Sequence, residues 1–273
     1  MSGDGLRGAS LALIGAGNMG LALLEGWAGQ GLSGDRMSVV DPNPSPRLAA
    51  LCAEKGFNLN GAGRPCDAVM LAIKPQMLDL GAAVAAPFVG PDSVVVSILA
   101  GKSISDLAAR LPAARAVVRA MPNTPAAIGR GITGAFANDA VSQAQRALAD
   151  ALLRAVGGVE WVERETLIDA VTAVSGSGPA YVFYLVEALA EAGVEAGLPP
   201  DLAARLARAT VEGAGELLHR QPETGANELR RRVTSPGGTT AAALEVLMAE
   251  DGLRPLMVRA IAAAKRRAGE LSG

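Results

Sequence analysis

Short runs of nearly unbroken apolar residues recur through the first half of the chain, at Leu11–Ile14, Met37–Val40, Ala68–Ala72, Val94–Ile98 and Ala116–Arg119. They lack the alternation of half-exposed strands, which is the pattern of strands covered on both faces. Helical stretches separate them, at Met19–Ala28, Arg47–Lys55, Met77–Ala86 and Ile104–Leu111. This alternation predicts βαβ units, and so an α/β fold with a doubly wound parallel sheet. Weaker strand runs follow at Ile132–Ala137 and Glu160–Val162. Beyond Glu165 the strand pattern stops. The remainder is rich in Ala, Leu, Glu and Arg and reads as helices broken at Ser175–Pro179, Gly197–Pro200, Gln221–Gly225 and Ser235–Gly238. The expected boundary is Arg164, with an α/β domain over 1–164 and an all-helical domain over 165–273.

Each strand runs into a loop of Gly, Pro, Asn or Lys: Gly15–Gly20, Asp41-Pro42-Asn43, Lys74-Pro75-Gln76, Ala100-Gly101-Lys102 and Met121–Pro125. Ligands of open α/β sheets bind at the carboxyl ends of the strands, so these loops are expected along one edge. The first is Gly15-Ala16-Gly17-Asn18-Met19-Gly20, a complete GxGxxG between an apolar strand and a helix. Gly15 permits the tight turn, Gly17 lets the backbone approach a pyrophosphate, and Gly20 permits close helix–strand packing. In this context the motif predicts a Rossmann-type dinucleotide site, with Ala16, Asn18 and Met19 sharing the loop. Asp41 ends the second strand, near the position from which a carboxylate takes the ribose hydroxyls and repels a 2′-phosphate. An Asp-Pro turn, or phosphate binding by Asn43 and Arg47, are the competing readings. NADPH and NADH both remain open as cofactor, with acceptance of NADH the lean that Asp41 supports.

Composition narrows the picture further. Half of the 273 residues are hydrophobic, 19% are charged and the formal net charge is −2, so a sizeable core is available. No Lys/Arg run exceeds three residues and aromatics are 3% of the chain, which argues against nucleic acid as a partner. The uncharged stretch between Asp169 and Glu187 is interrupted by Ser175–Pro179. A membrane span needs about 20 apolar residues, so no membrane partner is expected. The first ten residues hold no signal-peptide pattern, and a cytoplasmic location is expected. Cys52 and Cys66 read as small buried hydrophobes. The only histidine, His219, reads as a surface or capping residue beside Arg220. No His/Cys/Asp/Glu set has ligand spacing, so no metal is implied.

Four further motifs follow in order: Ala72-Ile73-Lys74-Pro75, Met121-Pro122-Asn123-Thr124-Pro125, Ser175-Gly176-Ser177-Gly178-Pro179-Ala180-Tyr181 and Val233-Thr234-Ser235-Pro236-Gly237-Gly238-Thr239-Thr240. With the glycine loop they span nearly the whole chain, and the series resembles that of pyrroline-5-carboxylate reductases. The resemblance implies a Rossmann domain, an all-helical substrate-binding and dimerisation domain, and an active site where the two meet. It implies NAD(P)H-dependent reduction of the cyclic imine Δ1-pyrroline-5-carboxylate to L-proline. Carried over by motif, Gly15–Gly20, Ala72–Pro75 and Ala100-Gly101 hold the cofactor, joined by Asn60. Glu165 and the Gly238-Thr239-Thr240-Ala241 turn bind the substrate, with Thr240 as the orienting hydroxyl. The chain departs from the family at Arg231 and Arg232, where an acid or amide is usual.

Without the family, Ser235–Thr240 still reads as glycines leading into a helix, a nest of backbone N–H groups suited to an anion; an ordinary Ser/Thr-capped helix is the plainer reading. Tyr181, Phe183 and Tyr184 read as core or dimer packing, and Glu187, Glu191 and Glu195 as a solvated face. A homodimer is expected, since the helical half is small and rich in Ala and Leu and C2 pairing is the commonest closure; the family extends this to rings. Three rivals stand beside this reading. One is a related imine reductase. A β-hydroxyacid dehydrogenase is a second, but it would place a lysine on a helix of the second domain, and none lies in the central helical region. A non-catalytic dinucleotide-binding protein is the third, and it has no need of the Ser-Pro-Gly-Gly-Thr-Thr turn.

Overall fold

The computed structural model describes Leu6 and residues 8–32 and 34–272. Among the described residues, one eight-stranded sheet forms from β1 (Leu11–Ile14), β2 (Met37–Val40), β3 (Asn58–Leu59), β4 (Cys66–Leu71), β5 (Val89–Ser97), β6 (Ala116–Met121), β7 (Gly131–Ala137) and β8 (Gly157–Trp161). Their order across the sheet is 3-2-1-4-5-6-7-8. Neighbours pair parallel except β6 and β7, which are antiparallel. The strand order reverses direction between β1 and β4, so the sheet is doubly wound as expected, with one antiparallel step.

Successive strand residues point to opposite faces, and each face has its own core. Leu11, Leu13, Met70, Val94, Val96 and Val118 pack under helices α1 (Asn18–Gly29), α2 (Pro46–Lys55) and α5 (Gln143–Arg154). Ala12, Ile14, Val69, Leu71, Val95 and Val117 pack under α3 (Leu78–Ala85) and α4 (Ile104–Arg110). Each fully buried Val or Leu contributes about 1.5–3 kcal/mol, so both faces are strongly specified. Buried Trp27 ties α1 to α5, donating from Nε1 to the carbonyl of Leu152 at 2.8 Å.

Helix starts follow local signals. Ser45 caps α2 with Pro46 in the first turn, and Ser103 and Ser142 form capping boxes with Asp106 and Gln145, each satisfying otherwise orphaned amides. Besides the antiparallel step and shifted strand ends, three features depart from the sequence expectation. The helix α5 was not among the expected stretches. The two-residue β3 is too short to carry a pattern. Finally β5 begins at Val89 rather than Val94, because its pairing with β4 shifts register between Cys66 and Ala68 and Gly90–Ser93 reads as a turn.

Helical structure follows from Glu165: a short 3₁₀ turn (Glu165–Leu167), α6 (Ile168–Val171), a π-helical turn (Thr172–Gly176), α7 (Gly178–Glu195), α8 (Pro200–Arg220), α9 (Ala226–Arg232), α10 (Thr239–Leu247) and α11 (Leu253–Ser272). The breaks fall where glycine and proline place them. Two compact units result, one of Met1–Gly176 with Ala264–Gly273 and one of Ser177–Ala263. In the second, α7 and α8 approach closely: a Cβ on Gly193 would lie 3.2 Å from that of Ala203. Among its described residues only Ala203 and Ala207 are buried, while Phe183, Tyr184, Leu217, Leu218 and Val246 are about half exposed or more. No helix among the described residues is long and apolar enough to cross a membrane.

Candidate functional site

The glycine loop has the shape its residues require. Gly15 takes φ +87°, and a Cβ there would lie 2.7 Å from Ile73 and 2.9 Å from the Ala72 carbonyl. A Cβ on Gly20 would lie 2.4 Å from the Gly15 carbonyl. Around Gly17 nothing lies within 4 Å of a Cβ position, so the surface there is open. Gly17 is also the N-cap of α1, and the first intrahelical bond runs from Leu21 N–H to its carbonyl. The amides of Asn18, Met19 and Gly20 therefore face outward at the positive end of the helix dipole, which suits a pyrophosphate.

Beside this loop lies a cleft of about 540 Å³ at the carboxyl ends of β1, β2 and β4, lined by Gly15, Gly17, Asp41, Asn60, Ile73 and Lys74 among others. Its walls are largely apolar. The sequence reading missed the wall supplied by Met77, Leu80 and Val84, although the large exposed side chains of Met77 and Leu80 mark an apolar helix face without a core to cover. Ala72 belongs to the lining, while Pro75 opens the following 3₁₀ turn. Asn18 and Met19 line an adjoining hollow with Glu25, Arg47 and Thr124.

Asp41 and Asn60 are bound to each other and to the loop. One Asp41 carboxylate oxygen accepts from Ala16 N–H at 2.9 Å and the other from Asn43 N–H at 2.9 Å. Asn60, in the left-handed region at φ 55°, accepts from Asp41 N–H at 2.9 Å and donates to its carbonyl at 2.8 Å. Its side chain thus extends the β2–β3 ladder by one rung. Arg47 pairs with Glu25 at 2.5 Å.

The Ala100-Gly101 loop follows β5, off this cleft but on the same edge of the parallel strands. Gly101 takes φ +69°, and a Cβ there would lie 2.7 Å from Cβ of Leu271. Glu165 is engaged within the chain: its Oε1 accepts from Ile104 N–H at 2.8 Å and from Arg119 Nη1 at 3.3 Å. Arg119 Nη2 donates to Asp169 at 3.0 Å. The sequence reading passed over Arg119 and Asp169, yet an arginine ending an apolar strand run signals a buried partner.

In the helical unit, Gly238 is the N-cap of α10, with no side-chain cap. The first helix bond runs from Ala242 N–H to the Gly238 carbonyl, leaving the amides of Thr239, Thr240 and Ala241 at an open helix start. Gly237 holds the turn at φ +68°. Arg231 and Arg232 both pair with Glu228. Cys52 and Cys66 are buried and unpaired, and burial pushes both thiols up. His219 lies exposed in the last turn of α8, and Glu187, Glu191 and Glu195 are exposed along α7.

Residues 165–271 match the family model described as "Pyrroline-5-carboxylate reductase dimerisation", and residues 10–101 match "NADP oxidoreductase coenzyme F420-dependent". The chain is 42% identical over 266 residues to the pyrroline-5-carboxylate reductase of Pseudomonas aeruginosa, covering 96% of both chains. It belongs to the pyrroline-5-carboxylate reductase family. Among solved structures, the pyrroline-5-carboxylate reductase of Coxiella burnetii superposes with a TM-score of 0.88 at 36% identity, over 97% of this chain and 99% of that one. The Plasmodium falciparum enzyme, solved with NADP bound, gives 0.79 at 25% identity over 98% and 100%. Membership in the pyrroline-5-carboxylate reductase family agrees with a glycine cradle open at Gly17 and an uncapped α10 in one chain.

Proposed function

We infer that this chain is an NAD(P)H-dependent oxidoreductase that reduces the C=N bond of Δ1-pyrroline-5-carboxylate, giving L-proline in the last step of proline biosynthesis. The observation that carries the inference is the end-to-end relationship to the Pseudomonas aeruginosa reductase, supported by the two open helix starts. The reduced nicotinamide supplies the hydride when bound.

The chain's own residues bind and orient. The amides of Asn18, Met19 and Gly20 receive the cofactor pyrophosphate, while Asp41, Asn60, Ala72, Ile73 and Lys74 line the nucleoside cleft. Pro75, Ala100 and Gly101 complete the proposed cofactor set from neighbouring loops. The N–H groups of Thr239, Thr240 and Ala241, with Gly238 as hinge, suit the substrate carboxylate, and the Thr240 hydroxyl suits its ring nitrogen. The imine binds protonated, so hydride addition to the C=N carbon completes the reaction without a titrating side chain. Glu165, the other residue of the proposed substrate set, already holds Ile104.

We assign the functional boundary to Arg164, in support of which the dimerisation match begins at residue 165. A homodimer, extended to a ring, and a cytoplasmic location belong to the same proposal. Purified protein given NADH or NADPH and the imine is expected to oxidise the cofactor and form L-proline in equal amounts. Dinucleotide binding without proline formation would overturn it.

A further inference from the structure

An ion cluster around one buried arginine, with half-buried carboxylates, lies beside the loop that follows β5. Arg119 is 4% exposed and stands on the β5–β6 register opposite Ser97. Its two terminal nitrogens divide between Glu165 and Asp169, carboxylates four residues apart on successive turns of the 165–171 segment. The buried Nε has no hydrogen-bond partner. An ion set whose buried arginine is incompletely satisfied is a poor way to gain stability, since apolar replacement of buried pairs is often neutral or better. What the set supplies is geometry.

That geometry points one way. Ile104 is the first residue of α4. Ser103 caps the Asp106 amide and Asp106 caps that of Ser103, which leaves the Ile104 N–H to be met from elsewhere. Glu165 meets it across 61 positions of sequence. The short connection from Ser97 to Ile104 is therefore fixed at one end by the sheet and at the other by Glu165, which Arg119 holds. Gly101, in the left-handed region, packs against Leu271, and Gly269 lies beside Asp169. A dinucleotide with its adenosine at β2 and its pyrophosphate on α1 extends past β4, so its nicotinamide half reaches this connection.

We propose that Arg119 is a positioning residue for hydride transfer: through Glu165 and Asp169 it fixes the Leu99–Ser103 connection against which the nicotinamide half lies. The proposal rests on the reductase reading above. Arginine is required rather than any cation, because its rigid planar fork sets Nη1 and Nη2 on the two carboxylates at once, whereas an ammonium is a point charge on a flexible stem and fixes neither.

The test uses the full chain with Arg119→Lys, Glu165→Ala and the double variant. In the cofactor-free protein, hydrogen exchange in the segment 99–107 is expected to speed at least about tenfold in both single variants, with the glycine-loop segment unchanged. Dinucleotide Kd stays within about threefold, because the adenosine and pyrophosphate contacts are untouched. Per folded molecule, kcat falls about 10- to 100-fold in both, and in Arg119→Lys the imine KM does not move. The double variant is no worse than the poorer single one within about threefold, since both act on one link. Wild-type exchange and kcat with a lowered melting temperature would make the cluster merely structural and overturn the proposal. So would additive losses, or an Arg119→Lys variant that raises the imine KM and leaves kcat at the wild-type value. If Arg119→Lys does not fold, Glu165→Ala decides by hydrogen exchange and kcat. Failure of the wild-type protein to reduce the imine is a separate result, and it sinks the reductase reading rather than the link between Arg119 and Ile104.

Discussion

Single side chains decide where reactants are held. Thr240 sits in the first turn of α10, half-buried, with the three unbonded amides around it. Thr240→Ala is expected to lower kcat/KM by about one to three powers of ten while dinucleotide Kd stays at the wild-type value. An equal loss of cofactor affinity, measured by fluorescence titration, would make the residue structural. Asp41 carries the cofactor lean. Its carboxylate oxygens each accept one backbone amide and keep lone pairs for ribose hydroxyls. Arg47, the rival phosphate ligand, is paired to Glu25. NADH is therefore expected to be accepted, and a preference for NADPH above about a hundredfold in kcat/KM would shift the role to Asn43 and Arg47. The Gly20→Ala variant places a methyl 2.4 Å from the Gly15 carbonyl. It should lose about 1–3 kcal/mol of stability in urea unfolding, as overpacked positions do, and weaken dinucleotide binding with it.

Elements differ in how plainly the chain announces them. The strands β1 and β2 match the sequence reading residue for residue, because both are short apolar runs bounded by glycine, proline or charge. The α5 helix escaped notice: its apolar positions Ala149, Leu152 and Leu153 form a narrow stripe between Arg and Asp residues. The antiparallel setting of β7 was equally hidden, since direction is a property of pairing rather than of composition. At the site, the glycine loop and the α10 turn were readable because their glycines have local reasons. The Arg119 cluster was not, since its partners lie 46 and 50 residues away. Trp27 shows the cost of breaking such a long-range tie. In Trp27→Phe the Leu152 carbonyl is left buried without its donor, and the loss should be about 1–3 kcal/mol in chemical denaturation. A change below about half a kcal/mol would mean α1 and α5 are held by packing alone.

For the molecule as a whole, the helical unit sets the terms. With Ala203 and Ala207 its only buried side chains among the described residues, and with Phe183, Tyr184, Leu217, Leu218 and Val246 exposed, it has apolar surface but almost no interior. Burial of that surface against a second copy is the expected remedy, in keeping with the dimerisation match. Light scattering at micromolar concentration should give twice the chain mass or a larger even multiple, and dilution should lower the melting temperature. A monomer whose melting point ignores concentration would contradict this.

The nucleotide-binding unit is discontinuous in sequence: it closes only when residues 264–272 return to it, after the whole of 177–263 has intervened. On the ribosome, that separates translation of the sheet from its completion. The strands can pair as soon as β8 has left the exit tunnel, but the Gly101 loop waits for Leu271, which is made long after β8. Nascent chains arrested before residue 264 should therefore show a protease-resistant sheet and a cleavable connection after β5, and only chains in which Leu271 has left the ribosome should protect that connection.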